Sequence, residues 1–167
     1  MKTGHLIAIA VFLALIYFIK KKDNDMKFSN VTKPLKRRKC DSFGCGNFGA
    51  RRANGTRKHQ GLDFLAQFGK SVFAPISGKV RLLKPYKDDS RFDGIEISGK
   101  VYSVKVMYFV PELKNGDFVQ EGQYIGRVQN LAIKYGPIPN HLHVEVRSAG
   151  ILRDPTEFFN QDTVLVA

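Results

Sequence analysis

Short apolar runs separated by turn residues constrain the fold of this chain more than any other feature of its sequence. From Gly61 onward, pairs such as Gly-Lys, Asn-Gly and Asp-Gly end each run after a few residues, and no long helical period competes. Runs of this length and spacing are typical of short antiparallel strands. We therefore predict an all-β domain, an antiparallel β-sheet fold with long loops, whose strands include Ser71–Pro75, Gly78–Leu83, Gly94–Ile97, Val101–Val110, Tyr124–Val128 and Leu142–Val146.

An unbroken apolar run, Leu6 to Ile19, lies near the N-terminus and leads into three lysines. A helix over this run would be about 21 Å long at ~1.5 Å per residue, shorter than the ~30 Å hydrocarbon core of a bilayer. Thr3–His5 and a snorkelling Lys20 extend it. The run has no polar face, and no small-residue cleavage site follows it. We predict an uncleaved, hydrophobic N-terminal helix that anchors residues 1–22 in a membrane.

Two criteria predict opposite directions for this anchor. The lysines after the run favour a cytoplasmic C-terminus under the positive-inside rule. The chemistry of the C-terminal domain, described below, requires the opposite direction. We give the chemistry more weight and predict a single-pass membrane protein whose C-terminal domain lies outside the cytoplasm, in a cell envelope or on a virion membrane.

Positive charge is concentrated in residues 20–39. Of the formal net charge of +12, this segment carries +7 and Lys2 one more, which leaves +4 from Cys40 onward. We predict that residues 23–39 are a solvated basic linker, with contact to anionic lipid or an acidic wall polymer as the alternative. No recognised nucleic-acid-binding motif accompanies the charge, so nucleic acid is not expected as a partner.

Two cysteines, Cys40 and Cys45, flank a tight loop that contains Gly44. The loop could close as a disulfide, which would fit an oxidising compartment, or hold two free thiols in a cytosolic protein. A zinc site made by these two alone is not expected, because no second pair completes four ligands. The folded domain is predicted to begin beside them and to cover residues 40–167.

Three of the four histidines fall into two short motifs. His59 and Asp63 stand four residues apart, with Gly61 between them. His141 and His143 share one face of a strand, ~6.5–7 Å apart along it, which favours one ligand and one neighbouring acid–base group. Two histidines and one aspartate would leave an open coordination position. This arrangement is typical of a catalytic zinc site, where the metal activates water and polarises a carbonyl.

With these motifs the chain resembles the lysostaphin-type (LytM-type) zinc metallopeptidase domain. The likeness runs in the family's order over about residues 40–160, and the matching elements are His59–Asp63, Ala74–Val80, Gly116–Gly126, His141–His143 and Asp154–Thr156. The resemblance implies that His59, Asp63 and His143 bind one zinc ion per chain. It also implies that His141 is a catalytic residue beside the metal, that the fold is the family's antiparallel sheet, and that the substrates are peptidoglycan peptides.

One residue departs from the pattern of active family members, which usually carry a further histidine where this chain has Tyr108. This change, together with Cys40–Gly46 and Lys84–Tyr86, is similar to the leukocyte cell-derived chemotaxins, a branch regarded as binding proteins without established peptidase activity. A phenol can donate a hydrogen bond to a developing oxyanion, but it is a poor base at neutral pH because its ordinary pKa is ~10. We predict that Tyr108 is a catalytic hydrogen-bond donor, with an aromatic residue packed on the core as the alternative.

Two functions follow from this sequence. The first is a membrane-anchored zinc metalloendopeptidase that cleaves peptidoglycan peptide cross-bridges, as a cell-wall hydrolase of a cell or a virion. The second is a catalytically silent, zinc-ordered binding module of chemotaxin type that recognises a wall peptide or a protein receptor. Glu145 is predicted either to steady an imidazole or to be exposed, and Lys105 and Arg147 are assigned to the surface. The sequence does not predict an oligomeric state.

Overall fold

The domain is built mostly from short antiparallel strands, as predicted. The computed structural model describes residues 11–12 and 27–159. In chain order its elements are β1 (Cys40–Asp41), β2 (Gly44–Cys45), β3 (Arg51–Arg52), a 3-10 turn (Ala53–Gly55), β4 (Arg57–Lys58), β5 (Leu62–Leu65), β6 (Ser71–Phe73), β7 (Gly78–Leu83), β8 (Gly94–Ser98), β9 (Tyr102–Met107), β10 (Phe109–Pro111), β11 (Phe118–Val119), β12 (Tyr124–Val128), α1 (Ala132–Tyr135), β13 (His141–Ser148), β14 (Ile151–Arg153) and a second 3-10 turn (Pro155–Glu157).

Seven strands form the central sheet, in the spatial order β11, β7, β8, β9, β13 and β14, with β5 also paired to β13. Strand β13 lies between β9 on one edge and both β5 and β14 on the other. Its first six residues are all buried. The strand therefore carries side chains into the interior on both of its faces, and it holds both histidines of the His141–His143 motif.

A second sheet of three strands, in the order β10, β12 and β6, shares the hydrophobic core of the first. The chain passes from β9 to β10 through the single residue Tyr108, whose φ of 75° lies in the left-handed region that bulky residues avoid. The Tyr108 N–H donates to the Asp93 carbonyl at 2.8 Å, and its own carbonyl accepts from the Gln129 N–H at 2.9 Å. The strand predicted over Val101–Val110 is therefore broken at Tyr108 by a fixed bend.

Side chains from both sheets fill one core. On β9 the buried residues Tyr102, Val104 and Val106 alternate with partly exposed ones, as expected for a strand with one face on the core. Phe109 and Ile125 from the smaller sheet are fully buried in the same cluster. The core between the two sheets is thus apolar. The polar site lies beside it, at the end of β13 that begins with His141.

The segment predicted as a linker, residues 23–39, belongs to the packed domain from Lys27 onward. Phe28, Val31 and Leu35 are buried in the core, and Phe28 stacks on Phe158 with ring centroids 4.8 Å apart. These three apolar side chains lie among lysines and arginines, so the high charge of the segment concealed them. The domain therefore begins before residue 40, and residues 23–26 lie outside the described part.

The cysteine loop is closed by a disulfide between Cys40 and Cys45, which joins β1 to β2. Such bonds persist in oxidising compartments, so the bond supports a domain outside the cytoplasm. The predicted anchor over residues 1–22 lies outside the described residues, apart from 11–12. Among the residues described, no helix is both long and apolar enough to cross a bilayer.

Candidate metal centre

The pairing of β5 with β13 brings the predicted ligands together. In this antiparallel register Asp63 lies directly opposite His143. His59 approaches from the loop before β5 and is followed by Gly61, which lies against the His143 ring. A Cβ added to Gly61 would stand 2.6 Å from His143 Nε2, so only glycine permits this approach. The short His59–Asp63 motif therefore combines two ligand-type side chains with the space that the third one needs.

Three ligand atoms converge in this cluster. His59 Nε2 lies 2.9 Å from His143 Nδ1 and 3.3 Å from Asp63 Oδ1, and His143 Nδ1 lies 3.0 Å from Asp63 Oδ1. A tetrahedral zinc ion with bonds of about 2.0–2.1 Å has ligand–ligand distances of about 3.3 Å. The spacing therefore fits a small cation. We call His59, Asp63 and His143 the metal cluster.

In His59 and His143, the contact made by the ring nitrogen that faces away from the cluster indicates which nitrogen carries the lone pair. His59 Nδ1 lies 2.8 Å from the Asn47 carbonyl, an acceptor, so this nitrogen carries the proton and Nε2 faces the cluster without one. His143 Nε2 lies 3.5 Å from Glu145 Oε1, so a neutral ring protonated there presents its Nδ1 lone pair to the cluster. Two lone pairs and a carboxylate then face one another. A proton or a metal cation is needed between them.

Proton binding in the metal-free cluster follows from these contacts. Burial alone would raise the pKa of Asp63, but its contacts with His143 and His59 outweigh the effect of burial and hold that pKa far below its usual range. Burial would lower the pKa of His143, but its contacts with Asp63 and Glu145 reverse the effect and raise it. The fold therefore favours the protonated form of His143 when no metal is bound, and zinc would compete with that proton.

The second oxygen of Asp63 is held by a residue that the sequence analysis assigned to the linker. Arg38 is 3% exposed, and its Nη1 donates to Asp63 Oδ2 at 3.1 Å. Its Nε and Nη2 donate to Asp41 at 2.9 and 2.6 Å, and Nη2 also donates to the Gly44 carbonyl at 3.2 Å. The disulfide hairpin thus fixes Arg38, and Arg38 fixes the aspartate of the cluster.

His141 lies beside the metal cluster without belonging to it. It is 5% exposed, and its Nε2 is 3.6 Å from Asp63 Oδ2. Its Nδ1 donates to the Pro139 carbonyl at 2.7 Å, so in the neutral ring Nε2 carries the lone pair on the side of the cluster. Burial lowers the pKa of His141, which favours this neutral form. His143 thus belongs to the cluster and His141 lies beside it, while the acid–base role of His141 stays a prediction.

Three tyrosines form a hydrogen-bonded row beside the metal cluster, and two of them, Tyr108 and Tyr135, line the cleft. The Tyr135 hydroxyl donates to Tyr86 at 2.6 Å, and the Tyr86 hydroxyl donates to Tyr108 at 3.0 Å. Tyr108 accepts this bond, so its own proton is available to the cleft. Its ring meets the His141 ring edge-on, with centroids 5.6 Å apart. Burial raises the pKa of Tyr108 to about 12, so the phenol is a donor and not a base. We call Tyr86, Tyr108 and Tyr135 the tyrosine wall.

Glu145 is buried, so the first of its two predicted alternatives fits the structure. It is 6% exposed and contacts His143 through one oxygen, while Lys105 Nζ lies 3.2 Å from the other. Lys105, assigned to the surface from the sequence, is instead half-buried in this ion pair. Arg147 is partly exposed and donates to the Gly150 carbonyl at 3.1 Å. A carboxylate behind a ligating imidazole fixes its tautomer and orientation.

The site opens to solvent through a cleft. On the side of His59 and His143 the cavity measures about 580 Å³. On the side of His141 it measures about 300 Å³, with Tyr108 and Tyr135 lining both parts. A bound metal would therefore be reachable from solvent, unlike a closed structural zinc site.

The comparisons with known proteins agree with this geometry. The profile of peptidase family M23 matches residues 57–155, more than half of the chain. Leukocyte cell-derived chemotaxin-2 of Mus musculus is 37% identical over 123 residues, which cover 72% of this chain and 78% of that protein. The same protein of Bos taurus is 35% identical over 123 residues, with the same shares.

The fold is also similar to that of the antimicrobial peptidase lysostaphin from Staphylococcus simulans. The TM-score is 0.57 at 21% identity, and the match covers 78% of this chain and 51% of the lysostaphin chain. This chain therefore spans about half of lysostaphin, and the likeness is one of fold. From the matched profile, the identity to the chemotaxins and the metal cluster, we conclude that this chain belongs to peptidase family M23, the lysostaphin-type metallopeptidases.

Proposed function

We propose that this domain is a zinc-dependent endopeptidase that cleaves peptide cross-bridges of peptidoglycan. The observation that carries the proposal is His141, a buried histidine outside the metal cluster whose free nitrogen faces it. A purely structural zinc site has no need of such a neighbour. The accessible cleft and the membership in a peptidase family add support.

Each residue then has a distinct task. His59, Asp63 and His143 would hold zinc, which supplies Lewis acidity toward water and a peptide carbonyl. His141 Nε2 accepts a proton from the attacking water and returns it to the leaving amine. Tyr108 donates its hydroxyl proton in a hydrogen bond to the oxygen of the reacting carbonyl.

Amine release from isolated sacculi tests this proposal. We expect the zinc-loaded full-length chain, purified in mild detergent, to generate new free amino groups. His141→Ala should abolish release while zinc still binds at one ion per chain, because His141 is not a ligand. The absence of release at every pH, with zinc bound, would rule out the enzyme. Activity retained in Tyr108→Phe would remove the oxyanion role of Tyr108.

A binding module is the second candidate, and the tyrosine wall favours it. Tyr108 stands where active family members usually carry a histidine, and two relatives, at 37% and 35% identity, are leukocyte cell-derived chemotaxin-2. In this case the metal cluster orders a surface that holds a wall peptide or a protein receptor. Tyr108→His separates the candidates. If the wild type releases no amino groups from sacculi but Tyr108→His does, the wild type is a binding module whose other catalytic groups are intact.

We also propose that residues 1–22 anchor the domain to a membrane, with the domain on the outer side. The apolar run Leu6 to Ile19 and the disulfide support this arrangement. In cells, the full chain should sediment with membranes and stay there after a carbonate wash. Added protease should digest the domain without cell lysis. If the domain is protected from added protease, it lies on the inner side of the membrane. If the full chain does not sediment with membranes, the proposed anchor is contradicted.

A further inference from the structure

A basic hairpin forms one rim of the zinc cleft. Strands β3 and β4 pair with Arg51 opposite Lys58 and Arg52 opposite Arg57. We call residues 51–58 the basic hairpin. Arg52, Arg57 and Lys58 line the same cavity as His59 and His143.

Carboxylates of the described residues do not balance the positive charges of this rim. Arg57 and Lys58 are exposed, and within the described residues neither has a carboxylate partner. Arg52 donates to two carbonyls, those of Cys45 at 2.6 Å and Arg51 at 3.2 Å, which orient it without neutralising it. The single carboxylate that lines this cavity, Glu145, is already shared between Lys105 and His143.

Exposed arginines elsewhere in the domain do meet acids. Arg91 is paired with Asp89, and Arg81 is paired with Glu96. What distinguishes the cleft is that three cations, Arg52, Arg57 and Lys58, line one cavity without a carboxylate partner among the described residues. A bound divalent metal would add further positive charge at its floor.

We propose that the cleft selects peptides that carry a free carboxylate next to the segment lying over the metal cluster, and that the basic hairpin binds this carboxylate. Guanidinium groups bind carboxylates through short, charge-assisted hydrogen bonds. The carboxylate belongs to an acidic side chain or to a chain end. This inference rests on peptide binding at the proposed zinc site, but it does not require that the peptide be cleaved.

Calorimetric titration of the zinc-loaded full chain with three peptides tests the inference. The first is acetyl-Gly-Gly-Glu-Gly-Gly-amide, and the second has Gln in place of Glu. The third has Gln and a free C-terminal carboxylate, so it separates a chain end from a side chain. Titrations of His141→Ala, run in parallel, exclude heat from hydrolysis.

We expect one of the two carboxylate peptides to bind about threefold to tenfold more tightly than the neutral peptide at low salt. The preference should be lost in Arg57→Gln and in Lys58→Gln. It should persist in Arg127→Gln, a matched control that removes one exposed positive charge from β12, outside the cleft.

Equal affinities for all three peptides would overturn the inference, and so would no detectable binding up to about 1 mM of any peptide. If Arg127→Gln and Arg57→Gln lose the preference for carboxylate peptides equally, the net charge of the domain attracts these peptides and the basic hairpin does not bind them specifically. Amine release from sacculi is measured separately. A carboxylate preference without release would leave this inference standing while the endopeptidase fails.

Discussion

The metal cluster and the tyrosine wall lie beside each other at one cleft, yet they are built from opposite kinds of group. In the metal cluster the facing atoms are imidazole nitrogens and a carboxylate oxygen, and the charged groups of Arg38 and Glu145 lie behind the ligands. The tyrosine wall consists of hydroxyls bonded in a row, and burial keeps Tyr108 neutral by raising its pKa to about 12. One side thus binds a cation, and the other offers a neutral donor.

This difference separates two kinds of group in one site. His59, Asp63 and His143 form a cluster consistent with the zinc site of family M23, whereas Tyr108 beside them is a phenol. A change in the metal cluster should therefore disturb metal affinity and stability. A change in the tyrosine wall should affect chemistry and leave the metal in place.

Asp63→Asn should have the largest effect. It removes a ligand charge and leaves the buried Arg38 with Asp41 as its remaining carboxylate partner. We expect loss of stoichiometric zinc and a decrease of about 3 kcal/mol in the free energy of unfolding of the metal-free protein. Metal analysis after dialysis and urea denaturation measure the two effects. Asp88→Asn, at an exposed site, should change neither.

Arg38→Lys should come next. A lysine ammonium cannot serve Asp41 and Asp63 together as the planar guanidinium does. We expect zinc affinity to fall by about 10–100-fold, as for other groups that orient a metal ligand, with the three ligands unchanged. Competition with a chromophoric chelator measures the affinity. If zinc affinity is unchanged in both Arg38→Lys and the control Arg153→Lys, Arg38 contributes only to packing and does not orient the ligand.

The pH dependence of stability should differ between the metal-free and zinc-loaded protein. Because the pKa of His143 is raised in the fold, its proton stabilises the metal-free protein below the unfolded value of about 6.5. That contribution is lost as pH rises through the folded pKa. Zinc affinity should change in the opposite sense and increase with pH over the same interval. Urea denaturation across pH measures the first effect, and His143→Gln should remove its share.

Tyr108→Phe should have the smallest effect on stability. It removes the acceptor of the Tyr86 hydroxyl, at a cost of about 1 kcal/mol, and leaves zinc affinity unchanged. Thermal unfolding and chelator competition check the two statements. Tyr124→Phe, which removes an exposed hydroxyl bonded to Glu112, is the matched control. A fall in zinc affinity in Tyr108→Phe alone would contradict the separation between the two sides of the cleft.

Local pattern was sufficient for much of the fold and for the ligands. Turn residues separated four strands of the central sheet, but the short strands Leu62–Leu65, Phe118–Val119 and Ile151–Arg153 and the break at Tyr108 were not predicted. These misses have two origins. Strands this short have little periodicity to detect, and a bend held by hydrogen bonds to Asp93 and Gln129 depends on residues far away in the chain.

The groups around the ligands could not be predicted in this way. Arg38 stands 25 residues from Asp63, in a segment whose charge suggested a linker. Tyr135 stands 49 residues from Tyr86, in a short helix with no signal of its own. Their contacts arise from packing between distant elements, and no spacing in the sequence records them.

The sequence by itself determined the side chains expected to bind zinc, because the His59–Asp63 motif and the alternation that puts His141 and His143 on one face of a strand are local features of the chain. Only the tertiary structure decided how these side chains are used. The β5–β13 register set Asp63 opposite His143, the disulfide hairpin brought Arg38 behind it, and the bend at Tyr108 closed the cleft with phenols. The physical reason is that ligand identity is a local property of the chain, whereas orientation, protonation and charge balance depend on neighbours that only folding brings together.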